Sequence, residues 1–174
     1  MAATTTAEAV DAASARHAIE PRALRQAFGC FATGVTIVTA CDELGQPRGM
    51  TANSFTSVSL TPPLILVCVA TDAPIWPTFA TAEAFAVNVL ADGQQALSQG
   101  FARPAPDKFA GVDWQPGGLG APILGGVAAH LECRRVREIT AGDHMILLGE
   151  VMGFAHAPAL PLIFHRGGYA ALAH

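Results

Sequence analysis

The amino-acid sequence predicts a mainly β fold, an antiparallel barrel with a few short helices. Segments rich in Val, Ile and Thr recur along the 174 residues, and short runs of turn residues join several of them directly. Hairpins of this kind build antiparallel sheets, whereas parallel strands need a long crossover connection. Closing the strands into a barrel removes their free edges, so we expect a single barrel domain.

The first predicted elements are a helix and a hairpin. An acidic residue and a proline precede Leu24, Phe28 and Phe31, whose spacing predicts a helix in this part of the chain. Residues 35–40 and 48–54 alternate in the manner of strands, and turn residues lie between them. These two segments are expected to pair as an antiparallel hairpin.

Four further strands and two short helices follow. The strands cover residues 64–70, 85–90, 127–138 and 144–155, and the helices cover residues 75–82 and 94–101. The last two strands are expected to form a second hairpin. The connection over residues 102–126 is rich in Pro and Gly and has no clear period, which is typical of a functional or mobile loop. The expected core side chains are Leu24, Phe28, Val35, Ile37, Leu64, Leu66, Val87, Val89, Ile146 and Leu148.

Composition and charge limit the possible partners. The chain is 51% hydrophobic and only 14% charged, so apolar surface must be hidden, which self-association would achieve. The net charge is −4 and the basic residues are scattered, which argues against nucleic acid as a partner. No apolar run is long enough for a membrane-spanning helix, so no membrane partner is expected.

The first eighteen residues differ from the rest of the chain. They are rich in Ala and Thr and lack the basic start and apolar centre of a secretion signal. We expect residues 1–18 to form a flexible arm, residues 19–174 to form the domain, and the protein to be cytoplasmic. The four cysteines never occur as C-x-x-C, which favours reduced packing residues over a metal or redox site.

Familiar catalytic signatures are absent from the sequence. There is no G-x-S-x-G elbow, no H-E-x-x-H, no Walker sequence and no G-x-G-x-x-G between a strand and a helix. A Rossmann-type nucleotide site is therefore excluded, and the histidines have no metal-like spacing, so no metal is expected.

Residues 49–57 stand out instead, because small and hydroxyl side chains are concentrated in a segment otherwise typical of a strand. Small side chains let a flat polar ring approach the main chain, and hydroxyl groups can bind phosphate. An ordinary edge strand with Ser and Thr facing water would have the same composition. From these residues alone, both interpretations stay open.

Five spaced motifs resolve the choice through a resemblance. Residues 31–39, residues 49–63, residues 85–90, the pair 142–144 with 149–151, and residues 161–169 are similar, in this order, to the motifs of the flavin reductase-like family. Its members include the small NAD(P)H:flavin oxidoreductase components of two-component flavin monooxygenases. The match runs from about residue 23 to residue 172, so the chain is identified as a member of this family.

The resemblance implies a split β-barrel of the FMN-binding, Greek-key type that forms a homodimer. It implies reduction of FMN or FAD by NADH or NADPH, with the nicotinamide folded over the flavin, and supply of reduced flavin to a separate monooxygenase. A barrel that holds FMN permanently as an electron-transfer or carrier protein is the alternative. A third possibility is a barrel that only binds a ligand or another protein.

The resemblance also assigns flavin-binding positions. Three parts of the chain would contact the flavin ring and its ribityl chain. They are the segment before Val58, the end of the strand that follows it, and the motif that begins at Phe31. The flavin phosphate would be bound by a helix and by the loop after it, which contains a lysine. The ordinary interpretation of that lysine is a solvated surface charge. The ring positions are Thr33, Gly34, Thr51, Ala52, Asn53, Ser54, Ser57, Val69 and Ala70. The phosphate positions are Ser98, Phe101 and Lys108.

The nicotinamide is assigned to the last part of the chain. His144 follows a Gly-Asp turn, and the resemblance places it near the site of hydride transfer. There it would position the nicotinamide, in preference to transferring a proton. The remaining positions are Arg166, Gly167, Gly168 and Tyr169, where glycines allow close approach of the main chain. The ordinary interpretation of His144 is a structural histidine, and that of Tyr169 is a tyrosine that anchors the C-terminal strand.

Overall fold

The computed structural model describes residues 19–172, and the predicted arm over residues 1–18 lies outside this range. Strands predominate and the helices are few and short, which confirms the mainly β prediction. No helix within residues 19–172 has the length and apolar character needed to cross a bilayer. The helices are α1 (Pro21–Phe28), α2 (Trp76–Thr81) and α3 (Gln95–Ala102). The strands are β1 (Thr33–Gly34), β2 (Thr36–Cys41), β3 (Pro47–Ala52), β4 (Thr56–Leu60), β5 (Pro63–Ala70), β6 (Ala84–Val89), β7 (Trp114–Pro116), β8 (Pro122–Leu124), β9 (Ala129–Ala141), β10 (His144–His156), β11 (Ile163–His165) and β12 (Gly168–Ala170).

Seven strands form the main antiparallel sheet, in the order β3-β2-β6-β9-β10-β5-β4. Both predicted hairpins are confirmed, since β2 pairs with β3 and β9 pairs with β10. A three-stranded sheet, β1-β11-β12, and the β7-β8 hairpin lie beside it. The β7-β8 hairpin falls in the segment predicted to be an irregular loop, because its strands have three residues each and are too short to show a period.

A short connection rolls the main sheet into a barrel. β3 and β4 are the two edge strands, yet only residues 53–55 separate Ala52 from Thr56. An extended chain of this length spans at most about 14 Å, so the two edges must approach each other. Within residues 19–172 no hydrogen-bonded ladder joins β3 to β4. The barrel is therefore split along this edge.

The core has two main parts. The first fills the barrel, where Val38, Val67, Val87 and Leu147 have no exposed surface and Phe85 has 2%. The second lies between the barrel and the C-terminal strands, where α3 and β1 meet the segment before β11. Its buried members are Val35, Ile37, Leu90, Phe101, Phe109, Leu124 and Leu162.

The predicted core is correct at Val35, in β2 and at one position of β6, but it is shifted by one residue in β5 and β10. Val35, Ile37 and Val87 are buried as expected, whereas Val89 is half-buried. Both β5 and β10 are apolar on their two faces, so alternation could not identify the inner one. The side chains on the outer face are the half-buried Leu64, Leu66, Ile146 and Leu148. Those on the inner face are Ile65, Val67, Val69 and Leu147.

The prediction that α1 contributes to the core is wrong. Leu24 is 37% exposed and Phe28 is 67% exposed, and no residue of α1 is buried. The N-terminus of the helix is capped by Glu20, whose carboxylate accepts hydrogen bonds from the N–H groups of Arg22 and Ala23. The helix ends at Phe28, and its apolar side chains stay exposed in place of packing into the core.

Asn88 ties the β7-β8 hairpin to the barrel. Its side chain is fully buried, and its Oδ1 accepts a hydrogen bond from the N–H of Leu124 at 2.9 Å. Its Nδ2 donates to the carbonyl of Ile37 at 3.2 Å, and the neighbouring Thr39 hydroxyl donates to the carbonyl of Pro122 at 2.6 Å. These bonds satisfy the buried polar groups and fix the loop that leads away from α3.

Candidate functional site

A cleft of about 400 Å³ lies between β3, the segment before and within α2, and the loop that follows α3. Its walls are largely apolar, while the guanidinium and ammonium groups of Arg48, Arg103 and Lys108 supply positive charge. Arg48 also forms an ion pair with Asp42 at 2.8 Å. The remaining lining residues are Pro47, Gly49, Met50, Thr51, Ala73, Pro74, Ile75, Thr78, Phe101, Ala102, Pro104, Ala105, Pro106 and Phe109.

Gly49 allows α3 to pack directly on β3. A methyl group at this position would lie 2.7 Å from a ring carbon of Phe101 and 3.3 Å from Thr39 Cγ2. The Phe101 ring is 1% exposed and meets Phe109 edge-on, with the ring centroids 5.0 Å apart. The absence of a side chain at Gly49 therefore sets the position of the cleft floor.

Lys108 is the only lysine in the sequence, and it is fixed in the cleft wall. Its Nζ donates to the carbonyls of Phe101 at 2.8 Å and Gly49 at 3.3 Å. Burial lowers the pKa of this ammonium group below its ordinary value. An ammonium group has three donors, so one is left for an anion in the cleft. Lys108 is thus half-buried and held in place, unlike a solvated loop charge.

Thr51, Ser98 and Tyr169 form a chain of hydrogen bonds across three elements. The Thr51 hydroxyl donates to the Ser98 carbonyl at 2.6 Å, and the Ser98 and Tyr169 hydroxyls lie 2.9 Å apart. Ser98 is fully buried and does not line the cleft. Its hydroxyl therefore joins α3 to β12 through Tyr169, and the assignment of Tyr169 to the nicotinamide stays a prediction.

The connection between β3 and β4 exposes main-chain donors. Within residues 19–172 the N–H groups of residues 53–55 donate to no protein acceptor. Asn53 is exposed, whereas Ala52 is buried and its carbonyl accepts a hydrogen bond from the Thr36 hydroxyl. Ser54 Oγ accepts from the N–H of Cys68 at 2.9 Å and donates to the Cys68 carbonyl at 3.1 Å. Ser54 therefore holds the connection against β5, and the free donors belong to the main chain.

The other predicted ring positions are dispersed. Ser57 is exposed on β4, and Val69 lies in the barrel core with no exposed surface, so its side chain cannot line a groove. Gly34 has open space in front of it, since a methyl group there would meet no atom within 4 Å. The Thr33 hydroxyl is buried without a hydrogen-bond partner in the described part of the chain.

His144 is oriented by its neighbour Asp143. The His144 Nδ1 lies 2.7 Å from Asp143 Oδ1, and the imidazole is 45% exposed. This hydrogen bond is the main cause that lowers the pKa of Asp143, so the carboxylate is ionised at neutral pH. The Asp143 carbonyl also accepts from the N–H of Thr71 at 3.0 Å. The sequence interpretation of Asp143 as a turn residue missed its contact with the imidazole. In the ladder, His144 lies opposite Ala70.

The predicted nicotinamide positions fall in two places. His144 lies where β10 begins beside the end of β5, whereas Arg166 and Gly167 form the turn between β11 and β12. The N–H of Arg166 donates to the carbonyl of Gly29 at 2.9 Å, which sets this turn against the end of α1. Gly168 begins β12 and is exposed. No hydrogen bond in residues 19–172 joins this turn to His144.

Several lining residues were missed by the sequence interpretation. They lie before and within α2 and in the proline-containing loop after α3. The Arg103-Pro104-Ala105-Pro106 run was a detectable signal, because a basic residue within a rigid loop favours a fixed binding wall. The missed residues are Ala73, Pro74, Ile75, Thr78 and Arg103.

Comparison with known proteins gives a consistent result. The family model for the flavin reductase like domain matches residues 28–173. A probable flavin reductase of Rhizobium meliloti (strain 1021) is 53% identical over 150 residues, which cover 86% of this chain and 48% of that protein. The HsaB reductase subunit of a flavin-dependent monooxygenase of Rhodococcus jostii (strain RHA1) is 41% identical over 163 residues, covering 93% of this chain and 83% of that subunit.

Solved structures are similar as well. The NADH:FAD oxidoreductase SgcE6 of Streptomyces globisporus C-1027, in complex with NAD and FAD fragments, has a TM-score of 0.84 and 46% identity, covering 88% of this chain and 93% of that chain. The resemblance inferred from the five motifs is therefore confirmed. The chain spans about half the length of the Rhizobium meliloti relative, so that whole protein contains further sequence.

The role of Gly49 can be tested by substitution. Gly49→Ala should lower the free energy of unfolding by about 1–3 kcal/mol, because the added methyl overpacks Phe101 and Thr39. Gly100→Ala is the matched control, since a methyl there meets no atom within 4 Å and Gly100 lies within α3. It should raise the free energy of unfolding by about 0.5–1 kcal/mol. Urea denaturation measures both, and equal stabilities of the two variants would contradict the packing argument.

Proposed function

This chain belongs to the flavin reductase-like family, and we propose that it reduces FMN or FAD with NADH or NADPH. We further propose that it releases the reduced flavin to a separate monooxygenase. The observation that carries the proposal is the cleft floored by β3, in which apolar walls and a fixed ammonium group occur together. Its volume lies within the range of small-molecule and cofactor sites.

The walls of the cleft fit the flat ring of a flavin. Met50, Pro74 and Ile75 offer apolar contacts, and the buried Gly49 lets the Phe101 ring pack directly on β3 beneath them. The N–H groups of residues 53–55 are free to donate to the polar edge of the ring, where negative charge gathers on reduction. These residues therefore bind and orient the cofactor by the main chain more than by their side chains.

The positive charge of the cleft fits the flavin phosphate. Lys108 is held by two carbonyls in the cleft wall, so one donor of its ammonium group remains for a phosphate oxygen. Arg103 lies on the same loop and adds a second cation. Ser98, the other predicted phosphate ligand, supports this proposal only indirectly, through its bonds to β3 and β12.

When both cofactors are bound, a hydride passes with its electron pair from nicotinamide C4 to flavin N5, and the nicotinamide becomes aromatic. The chain needs no nucleophile for this step, because the alignment of the two rings is the main requirement. Asp143 holds the His144 imidazole by its Nδ1, so that Nε2 is directed away from the carboxylate. We assign His144 to positioning the nicotinamide, with Ala70 beside it in the ladder.

The proposal extends to a homodimer. α1 presents Leu24, Phe28 and the following Phe31 to solvent at 37%, 67% and 78% exposure. Half-buried apolar side chains also cover the outer face of β5 and β10. Pairing with a second copy would remove such surface from water. The cytoplasmic location and the domain start at residue 19 stay predictions.

Turnover tests the proposed activity. Purified protein with FMN or FAD in excess should oxidise NADH or NADPH under air, followed by the loss of absorbance of the reduced nicotinamide. Failure with all four combinations would overturn the reductase proposal. A protein that retains its flavin through dialysis and does not turn over would instead support the carrier alternative.

Lys108→Gln tests the phosphate contact, with riboflavin as the matched control because it has the ring but no phosphate. The KM for FMN should rise about tenfold, equivalent to roughly 1.4 kcal/mol, while the KM for riboflavin stays within about twofold of the wild-type value. Equal increases for both flavins would show that Lys108 only supports the shape of the cleft.

His144→Ala tests nicotinamide positioning. The rate of flavin reduction in a single turnover should fall about tenfold to a hundredfold, because the rings are less well aligned, and flavin affinity should be retained. Asp143→Asn, which keeps the shape but removes the charge facing Nδ1, should cause a smaller decrease. Stopped-flow absorbance measures both rates, and an unchanged rate in His144→Ala would remove this residue from the site.

A further inference from the structure

A second cleft, of about 530 Å³, lies between α1 with the residues after it and the turn that joins β11 to β12. Three of the residues that line it are arginines, Arg22, Arg25 and Arg166, and none is an Asp or a Glu. All three arginines are exposed, so their guanidinium groups are accessible to a dissolved ligand. This basic cleft shares no lining residue with the cleft on β3.

The three charges are not neutralised within residues 19–172. The Arg–carboxylate pairs of this range involve Arg48 and Arg135. Glu20, the acidic residue next to α1, uses its carboxylate to cap the helix through the N–H groups of residues 22 and 23. Like charges that face one space repel one another unless an anion lies between them. In a chain of net charge −4, such a local concentration of positive charge requires a specific explanation.

Arg166 occupies a position that turn chemistry would give to another residue. Its φ is 49° and that of Gly167 is 82°, the pattern of a two-residue type I′ turn. Asn is preferred at the first of these positions, because a left-handed conformation is unfavourable for residues with long side chains. The main chain of Arg166 is held by Gly29 at 2.9 Å, and its guanidinium donates to Cys30 Sγ at 3.7 Å. The turn thus holds Arg166 against α1.

The helix itself explains only one of the three arginines. Arg25 lies in the last turn of α1, where a cation complements the helix dipole. Arg22 lies in the first turn, where that dipole disfavours a positive charge. Arg166 belongs to a different element. A ligand shared by all three accounts for their position in one cleft.

We propose that the basic cleft binds a phosphate group of a nucleotide. Guanidinium groups bind phosphate oxygens by paired hydrogen bonds, and a cluster of them on two elements matches a group with several acceptor oxygens. The inference rests on the proposed function in one respect: both substrates of a flavin reductase carry phosphate groups. Tyr169 and Arg166 belong to the same β11-β12 hairpin, which connects the basic cleft through Ser98 to β3.

The test uses inorganic pyrophosphate as the probe and isothermal titration calorimetry at low salt. The variant Arg22→Gln/Arg25→Gln/Arg166→Asn removes the charges while it retains helix propensity and a residue suited to the turn. Its affinity for pyrophosphate should be at least about tenfold weaker than that of the wild type. Arg137→Gln, which changes an exposed arginine of β9 outside the cleft, should keep this binding event.

Steady-state kinetics then identify the source of the phosphate. A higher KM for NADH or NADPH at constant kcat would assign it to the nicotinamide nucleotide. A higher KM for FMN or FAD, but not for riboflavin, would assign it to the flavin, and both results support the site. Calorimetry needs no turnover, so it decides the proposal even if the wild type is inactive as a reductase.

Equal affinity of the triple variant and the wild type for pyrophosphate would overturn the proposal. So would an equal loss in Arg137→Gln, since that result would indicate a general effect of charge. Thermal unfolding followed by circular dichroism checks that the variants fold. If the triple variant does not, Arg166→Asn and Arg22→Gln singly should each weaken pyrophosphate binding, and unchanged affinity in both would equally overturn the proposal.

Discussion

The structure depends on the three-residue connection between β3 and β4. These strands are the opposite edges of a seven-stranded sheet, and a connection this short forces the sheet to roll until the edges approach each other. The roll encloses the core around Val67, Val87 and Leu147. It also leaves residues 53–55 outside every ladder, with main-chain donors that no protein group uses within the described residues. One covalent constraint thus produces both the barrel and the surface proposed for the flavin ring.

The second element of the account is the junction of β3 with α3. Gly49 has no side chain, so the Phe101 ring can lie on the strand, and Lys108 bonds to the carbonyls of both residues. The Thr51 hydroxyl and the Ser98 hydroxyl continue this junction to β12. Several polar side chains of the kinds that often bind ligands therefore hold the main chain in place. The chemistry assigned to the cleft requires little else, because hydride transfer depends chiefly on the alignment of two rings.

Prediction from sequence succeeded where a local pattern determines the structure and was wrong where distant residues do. The two hairpins follow from turn residues between alternating segments, and the structure confirms them. The inner face of β5 and β10 could not be predicted, since both faces are apolar and only packing selects Val67 and Leu147. Long-range hydrogen bonds were equally invisible: Ser54 suggested a flavin ligand by its hydroxyl, yet it bonds to Cys68 fourteen residues away. The resemblance pointed to Lys108 as a phosphate position, which stays a prediction, and its hydrogen bond to the Gly49 carbonyl could not be predicted.

The central claim is that the main chain at the end of β3 and in the connection after it receives the flavin ring. The most direct measurement is the change in backbone amide resonances of ¹⁵N-labelled protein on titration with oxidised FMN. The account predicts that the largest changes occur at Thr51, Asn53 and Ser54, with further changes near Lys108. Unchanged resonances at these residues, with the changes confined to another part of the barrel, would contradict it.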